Sequence, residues 1–200
     1  MHLDFVPYNN DAYKDDEISI EFNDLDVSIG FLLTFDQSGA STKQKVAILE
    51  SGQVQFGQIS FKIYAKETYV PIEFGLSAGG IYISMLFYRR SKSKIDLEFV
   101  SDQINAAFIN NSSVLFERFS AQNIFVITWD SMRESGTDNY NTFQMVFASD
   151  SKRTFLIYNY GRCDSTSDQT EIPIDYFNGN FLHLGVEDNS YYLKFSVCFF

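Results

Sequence analysis

The sequence predicts a mostly β fold: a single antiparallel, β-rich, sandwich-like domain with one amphipathic helix near residues 93–108. Three observations carry this. Aromatic residues make up 17% of the 200 residues, with 21 Phe and 12 Tyr against only 3 Pro, and pleated sheet faces accommodate aromatic rings. Short apolar runs recur between polar clusters, and most alternate with the period of a strand. Only one stretch holds helical spacing, and no βα alternation points to a doubly wound sheet. No repeat, low-complexity tract or Pro/Gly/Ser-rich linker divides the chain, so 1–200 reads as one domain, large enough for a substantial core.

The strands are expected in this order. Ile18 to Phe22 alternates apolar and polar, and Val27 to Phe35 is a longer, more buried run. Val54 to Phe56 and Ile59 to Ile63 alternate around a turn at Gly57. Ile81 to Tyr88, Val114 to Phe119, Ile124 to Trp129, Phe143 to Ala148 and Thr154 to Tyr160 follow. In the last strand, Tyr191 to Phe199, Leu193, Phe195 and Val197 fall on one face and Lys194 and Ser196 on the other. The helix places Leu97, Val100, Ile104 and Phe108 on one stripe, and Ser93 with Asp96 resembles a capping box. Asp36 to Gln44, Asp130 to Asn139 and Gly161 to Glu171 read as loops.

Charge and hydropathy exclude two classes. Lys plus Arg total 15 against 26 Asp plus Glu, a net charge of −11. Without a basic stripe, nucleic acid is not an expected partner, and the acidity serves solubility. The longest uncharged run, Phe74 to Tyr88, is fifteen residues with three glycines and two serines; a spanning helix needs about 20 predominantly apolar residues. Met1-His2-Leu3-Asp4 has no basic region or apolar stretch of a signal peptide. The expectation is a cytosolic chain or a piece of a longer one whose signal lies elsewhere. Cys163 and Cys198 permit one bridge; closing a loop of about 36 residues would contribute roughly 3.8 kcal/mol in the chain-entropy model. Two free buried thiols are the other reading.

Chemistry-bearing patterns are few. Gly75-Leu76-Ser77-Ala78-Gly79 matches the G-x-S-x-G nucleophile elbow, with His183 downstream and Asp164, Asp168 or Asp175 to orient it. Against a serine hydrolase, the following Ile81-Tyr82-Ile83-Ser84 favours a strand over the required helix, and no His-Gly-Gly-Gly segment lies upstream. His2 and His183 do not make a zinc set, and neither Asp15-Asp16-Glu17 nor Asp24-Leu25-Asp26 fits a calcium loop. No Gly-rich phosphate loop is present, so no metal, cofactor or catalytic residue is assigned. Two overlapping sequons offer Asn110 and Asn111 as glycan acceptors if the chain is secreted.

One block carries a resemblance. Thr128-Trp129-Asp130 ends an apolar strand, Asn141-Thr142-Phe143-Gln144 opens the next, and Tyr158-Asn159-Tyr160-Gly161 closes a third. This pattern resembles the nidogen-type extracellular (NIDO) domain, most strongly over 124–161. Weaker matches are Phe5-Val6-Pro7-Tyr8, Leu49 to Gly57, Phe87-Tyr88-Arg89-Arg90, Ile104 to Phe108 and Phe177-Asn178-Gly179-Asn180. Where the family usually carries an acidic residue before the Tyr-Arg strand, this chain has Gly75, so the apparent elbow falls in a segment the family uses as ordinary structure.

The resemblance implies a non-enzymatic extracellular module of cell–matrix adhesion, secreted or part of an ectodomain, and possessing no cofactor. Its partner would be an extracellular matrix protein or a glycan, met through the loops Asp130 to Asn139 and Gly161 to Glu171. In an oxidising compartment Cys163 and Cys198 are expected to bridge. A serine hydrolase using Ser77 and a glycan-binding β-sandwich are the alternatives. By their own physics the matched residues read as scaffold: Phe125, Ile127 and Trp129 share one strand face, as do Phe143, Met145 and Phe147, with Trp129 a core anchor.

Overall fold

A computed structural model of the chain describes residues 5–8, 16–19, 25–33, 43–49, 52–56, 59–62, 72–73, 85–110, 118–134, 140–150, 154–163, 181–184 and 192–193. Among these, the strands in chain order are β1 (Asp16–Ser19), β2 (Leu25–Leu33), β3 (Lys43–Leu49), β4 (Gln53–Phe56), β5 (Ile59–Lys62), β6 (Ile72–Glu73) and β7 (Met85–Ser91). The helix α1 (Lys94–Asn110) follows, then β8 (Asn123–Glu134), β9 (Tyr140–Ser149), β10 (Thr154–Cys163), β11 (Phe181–Leu184) and β12 (Tyr192–Leu193). Among the described residues, the mostly β class and the lone helix are as the composition and the residue spacing predict.

The strands form two antiparallel sheets. The larger runs β1-β7-β8-β9-β10-β11-β12, with β6 paired to the far end of β8. The smaller is the meander β2-β3-β4-β5. Strand β3 is an element that the sequence pattern misses: Lys43-Gln44-Lys45 looks like loop, yet Val46 and Ile48 are fully or almost fully buried while Lys45 is exposed. Gly52, at φ 76°, sits in the left-handed region just before β4, where an L side chain is disfavoured.

The central strands are buried on both faces. On one face Phe125, Ile127, Trp129, Phe143, Met145, Phe147 and Leu156 pack against Val27, Ile29, Val46, Ile48 and Val54 of the smaller sheet. On the other, Ile124, Val126, Val146, Ala148, Phe155 and Ile157 meet Val100 and Ile104 of α1. The layers are therefore sheet, sheet and helix. This is why Ile124 to Ile127 reads as a continuous apolar run rather than an alternation: neither face meets water. The stripe expected on α1 is present at Val100 and Ile104, with Leu97 partly buried beside them.

The sheets also approach at an edge. Gly30, at φ 70°, lies where β2 slips register against β3, and a Cβ there would sit 3.1 Å from Arg90 Nη1. Glycine thus meets two requirements at once, a left-handed backbone and room for an arginine across it.

Three sequence expectations change. The segment 118–121 is coil, not the end of a strand from Val114; residues 114–117 lie outside the described set. Asn105 on α1 captures this coil by donating Nδ2–H to Phe119 O and accepting Phe119 N–H at Oδ1, both at 2.8 Å. With its backbone polar groups served by a side chain, Phe119 buries its ring edge-on against Phe155, centroids 4.7 Å apart.

The capping box is closed differently. Asp96 turns its carboxylate to Arg89 and Ser91, and the Ser93 N–H donates instead to Ser91 Oγ at 3.0 Å. A buried arginine attracts the carboxylate more strongly than a backbone amide does. Finally, Asp130 to Glu134 and Gly161 to Cys163 are strand rather than loop, for reasons given next.

Candidate functional site

The residues of the three matched motifs stand side by side on β8, β9 and β10. Register pairs Thr128 with Gln144 and Gln144 with Asn159; it pairs Trp129 with Phe143 and Phe143 with Tyr160. One step further along, both outer strands slip: between Trp129 and Met132 on β8, and between Tyr160 and Cys163 on β10. Two residues on each side then oppose the single Thr142, the arrangement of a β-bulge.

The β8 bulge is locked by its own polar side chains. Ser131 takes φ 54°, rare for a residue with a Cβ. Its N–H donates to Thr142 Oγ1 at 3.0 Å, Thr142 Oγ1 donates to Asp130 Oδ1 at 3.0 Å, and Ser131 Oγ donates to the same oxygen at 3.2 Å. These bonds absorb the polar cluster that composition assigns to a loop, and Met132 returns to the core fully buried. Asn141 is accordingly part of β9, in register with Met132.

The next row is a buried polar chain facing the helix side. Gln144 Nε2 donates to Thr128 Oγ1 at 2.9 Å, and Asn159 Nδ2 donates to Gln144 Oε1 at 3.1 Å. Thr128, Gln144 and Asn159 are each at most 1% exposed. Such groups are costly inside unless paired, and the main partner is remote in sequence. Val6 N–H donates to Gln144 Oε1 and Gln144 Nε2 donates to Val6 O, both at 2.9 Å. The glutamine amide thus pairs with a backbone amide on both its edges, as Asn105 does with Phe119.

The same N-terminal segment is held at two further points. Arg89 Nη2 donates to Pro7 O at 3.0 Å while Nη1 binds Asp96 Oδ2 at 2.7 Å. Tyr8 packs on Phe87, ring centroids 5.4 Å apart, and its hydroxyl bonds Asp130. Burial, then the neighbouring Asp130 charge and that bond, push the Tyr8 hydroxyl up to about 12. What the motif residues do together is clamp Phe5 to Tyr8 across the sheet. Phe5-Val6-Pro7-Tyr8 and the three motifs lie far apart in the sequence; the signal that ties them together is the polar residues (Thr128, Gln144, Asn159) inside otherwise apolar strands.

Two predictions arise here. Gln144→Leu keeps the volume but orphans both Val6 backbone groups, Thr128 and Asn159, and is expected to cost about 2–4 kcal/mol. Urea unfolding followed by emission of the lone Trp129 measures it. A midpoint within error of the parent chain would refute the clamp. The second concerns pH. Unfolded Tyr8 ionises near 10, whereas folded Tyr8 holds its proton to about 12. Its contribution is complete below about pH 10 and is lost as pH rises from about 10 to 12. Stability of the parent chain should therefore fall more steeply across that window than stability of Tyr8→Phe; parallel curves would contradict the assignment.

Of the other singled-out residues, those that are described stand on separate elements. Ser77 and the rest of 75–79 lie outside the described residues, as do Asp164, Asp168, Asp175, Asn111 and Cys198. His183 lies on β11 opposite Phe155, Cys163 ends β10, and Asn110 ends α1. Among the described residues no group of three or more His, Cys, Asp or Glu is placed to hold a metal ion. No helix among them is long and apolar enough to cross a membrane.

Comparison with the solved structures finds no match. Comparison with protein families does: the nidogen-like domain (NIDO) matches residues 53–174, more than half of the chain and inclusive of all three motifs. With the motif rows assembled on adjacent strands of an antiparallel sheet, and this family match across them, the chain belongs to the nidogen-like domain family, a family of extracellular modules.

Proposed function

We propose that the chain is a non-enzymatic module of cell–matrix adhesion, secreted or part of an ectodomain, that binds a matrix protein or glycan through the connections between its strands. The observation that carries this reading is where the family residues point. Thr128, Asp130, Thr142, Gln144 and Asn159 bond to one another or to Val6 and Tyr8. They build a scaffold, and recognition then falls to the loops a scaffold presents. The connections after β8 and β10, 135–139 and 164–171, are the first to test. On this reading Asn110 or Asn111 carries a glycan, and Cys163 bridges Cys198 across the C-terminal strands.

The experiment is intact-mass analysis of the chain secreted from eukaryotic cells behind an added signal peptide, with and without thiol alkylation. A glycan and no alkylatable thiol are expected, followed by saturable binding to a matrix protein or glycan array that loop substitutions in 135–139 or 164–171 abolish. Two free thiols on a chain that is not secreted would overturn the extracellular reading. Labelling of Ser77 by a serine-reactive probe, lost on His183→Ala, would replace it by the hydrolase.

A further inference from the structure

One short stretch runs against the charge of the rest of the chain. Arg89-Arg90-Ser91-Lys92-Ser93-Lys94 holds four of the 15 basic residues in six positions, with no acid among them, although the net charge is −11. An even spread of 15 over 200 residues would put fewer than one in such a stretch. A K/R-rich run of this length is a pattern for binding polyanions. The fold divides it. Arg89 and Ser91 turn inward to Asp96. Arg90, Lys92 and Lys94 stay exposed where β7 gives way to α1.

The three exposed cations form a row. Neighbours are two residues apart, at most about 7 Å along the chain. Arg90 anchors one end by lying across Gly30, its Nη1 3.1 Å from where a Cβ would stand. The next acids along the chain leave the row its charge. Asp96 is 1% exposed and faces the interior. Glu98 reaches Lys94 at 3.6 Å, but the two side chains are 64% and 86% exposed, and such a pair is weak in water.

We propose that Arg90, Lys92 and Lys94 are a docking surface for a sulfated glycosaminoglycan chain. Such a partner presupposes the extracellular reading, because sulfated chains are polyanions of the matrix, but it uses neither of the loops 135–139 and 164–171. Separate cations in a row suit anionic groups repeated along a polymer, and sulfate oxygens accept charge-assisted bonds from guanidinium and ammonium. The acidity of the whole chain does not forbid the contact, since exposed charges are largely screened beyond about 8 Å at physiological ionic strength. Ile95, beside the row and 73% exposed, is what a lipid surface would use. A single exposed apolar residue is ordinary on a folded domain, so the charged row defines the partner.

The test titrates the purified full chain with a fluorescent heparin oligosaccharide at low and at physiological salt. Saturable binding that weakens as salt rises is expected. The triple variant Arg90→Gln, Lys92→Gln, Lys94→Gln should weaken it about tenfold or more. All three side chains are exposed, so the variant should keep the parent's circular dichroism. Lys92→Gln should weaken binding more than Arg118→Gln, which removes the same charge beside Asp102, about 12 Å further along α1. Glu98→Gln, which releases Lys94, should tighten it, and desulfated heparin should not compete. Equal effects of Lys92→Gln and Arg118→Gln would mean a response to net charge alone and overturn the surface. Competition by desulfated heparin, or no binding at low salt, overturns it equally. Tighter binding to phosphatidylserine vesicles than to heparin, lost on Ile95→Ser, would replace the glycan by a membrane. The extracellular reading is judged separately, by secretion and thiol state: a secreted, glycosylated chain that ignores heparin overturns this surface alone.

Discussion

Asp96→Ala is expected to destabilise the chain by about 3–5 kcal/mol, the range for removing one partner of a buried ion pair. Asp96 is 1% exposed and Arg89 3% exposed. Asp96 Oδ2 accepts from both Arg89 Nη1 and Ser91 Oγ at 2.7 Å. Its loss takes the Asp96 counter-charge away from a guanidinium in the interior. The damage spreads, because Arg89 also holds the Pro7 carbonyl and Ser91 serves the first amide of the helix turn. The double variant Arg89→Met, Asp96→Leu should recover part of the loss, since apolar packing avoids the cost of burying charge. Chemical denaturation of the three chains measures this. A loss from Asp96→Ala below about 1 kcal/mol, the range of exposed pairs, would mean that water reaches the site. The exposed pairs Lys94–Glu98 at 3.6 Å and Arg118–Asp102 at 3.4 Å are the internal contrast; breaking either should change stability by no more than about 1 kcal/mol.

Trp129→Ala is expected to cost about 3–5 kcal/mol, the usual range for deleting a large buried aromatic side chain. The indole is fully buried between the two sheets, 5.3 Å from Phe143 between ring centroids, and in register with it. Packing on both sides leaves the surroundings little freedom to collapse into the space, so the cavity term adds to the lost apolar burial. Trp129→Phe retains the aromatic contact and should cost less than half as much. Circular dichroism rather than fluorescence must follow both, because Trp129 is the chain's one Trp. A small loss for Trp129→Ala with loss of partner binding would reassign the indole from core to recognition surface.

Much of the scaffold is legible in the sequence because its signals are local. Apolar runs mark β2 and β10, and the stripe through Val100 and Ile104 marks the helix. Where local signals fail, a remote partner has changed the outcome. Lys43-Gln44-Lys45 has loop composition, yet it is drawn into β3 by pairing with β2. Asp130 to Glu134 has loop composition too, yet hydrogen bonds from Thr142 and Tyr8 make it a bulged strand. By its pattern Phe119 ends a strand, but Asn105, fourteen residues earlier, takes its backbone.

The sequence by itself determined the class of this protein: β-rich, acidic, one helix, with motif residues that resemble one family. It did so because pleat period, helical spacing and composition are properties of neighbouring residues. Only the tertiary structure decided what those motif residues do. Gln144 meets Val6 across 138 positions and Arg89 meets Pro7 across 82. No period or propensity encodes contacts that distant. They form because strand register places Thr128, Gln144 and Asn159 in one buried row, and a buried polar row must find partners wherever the chain can supply them.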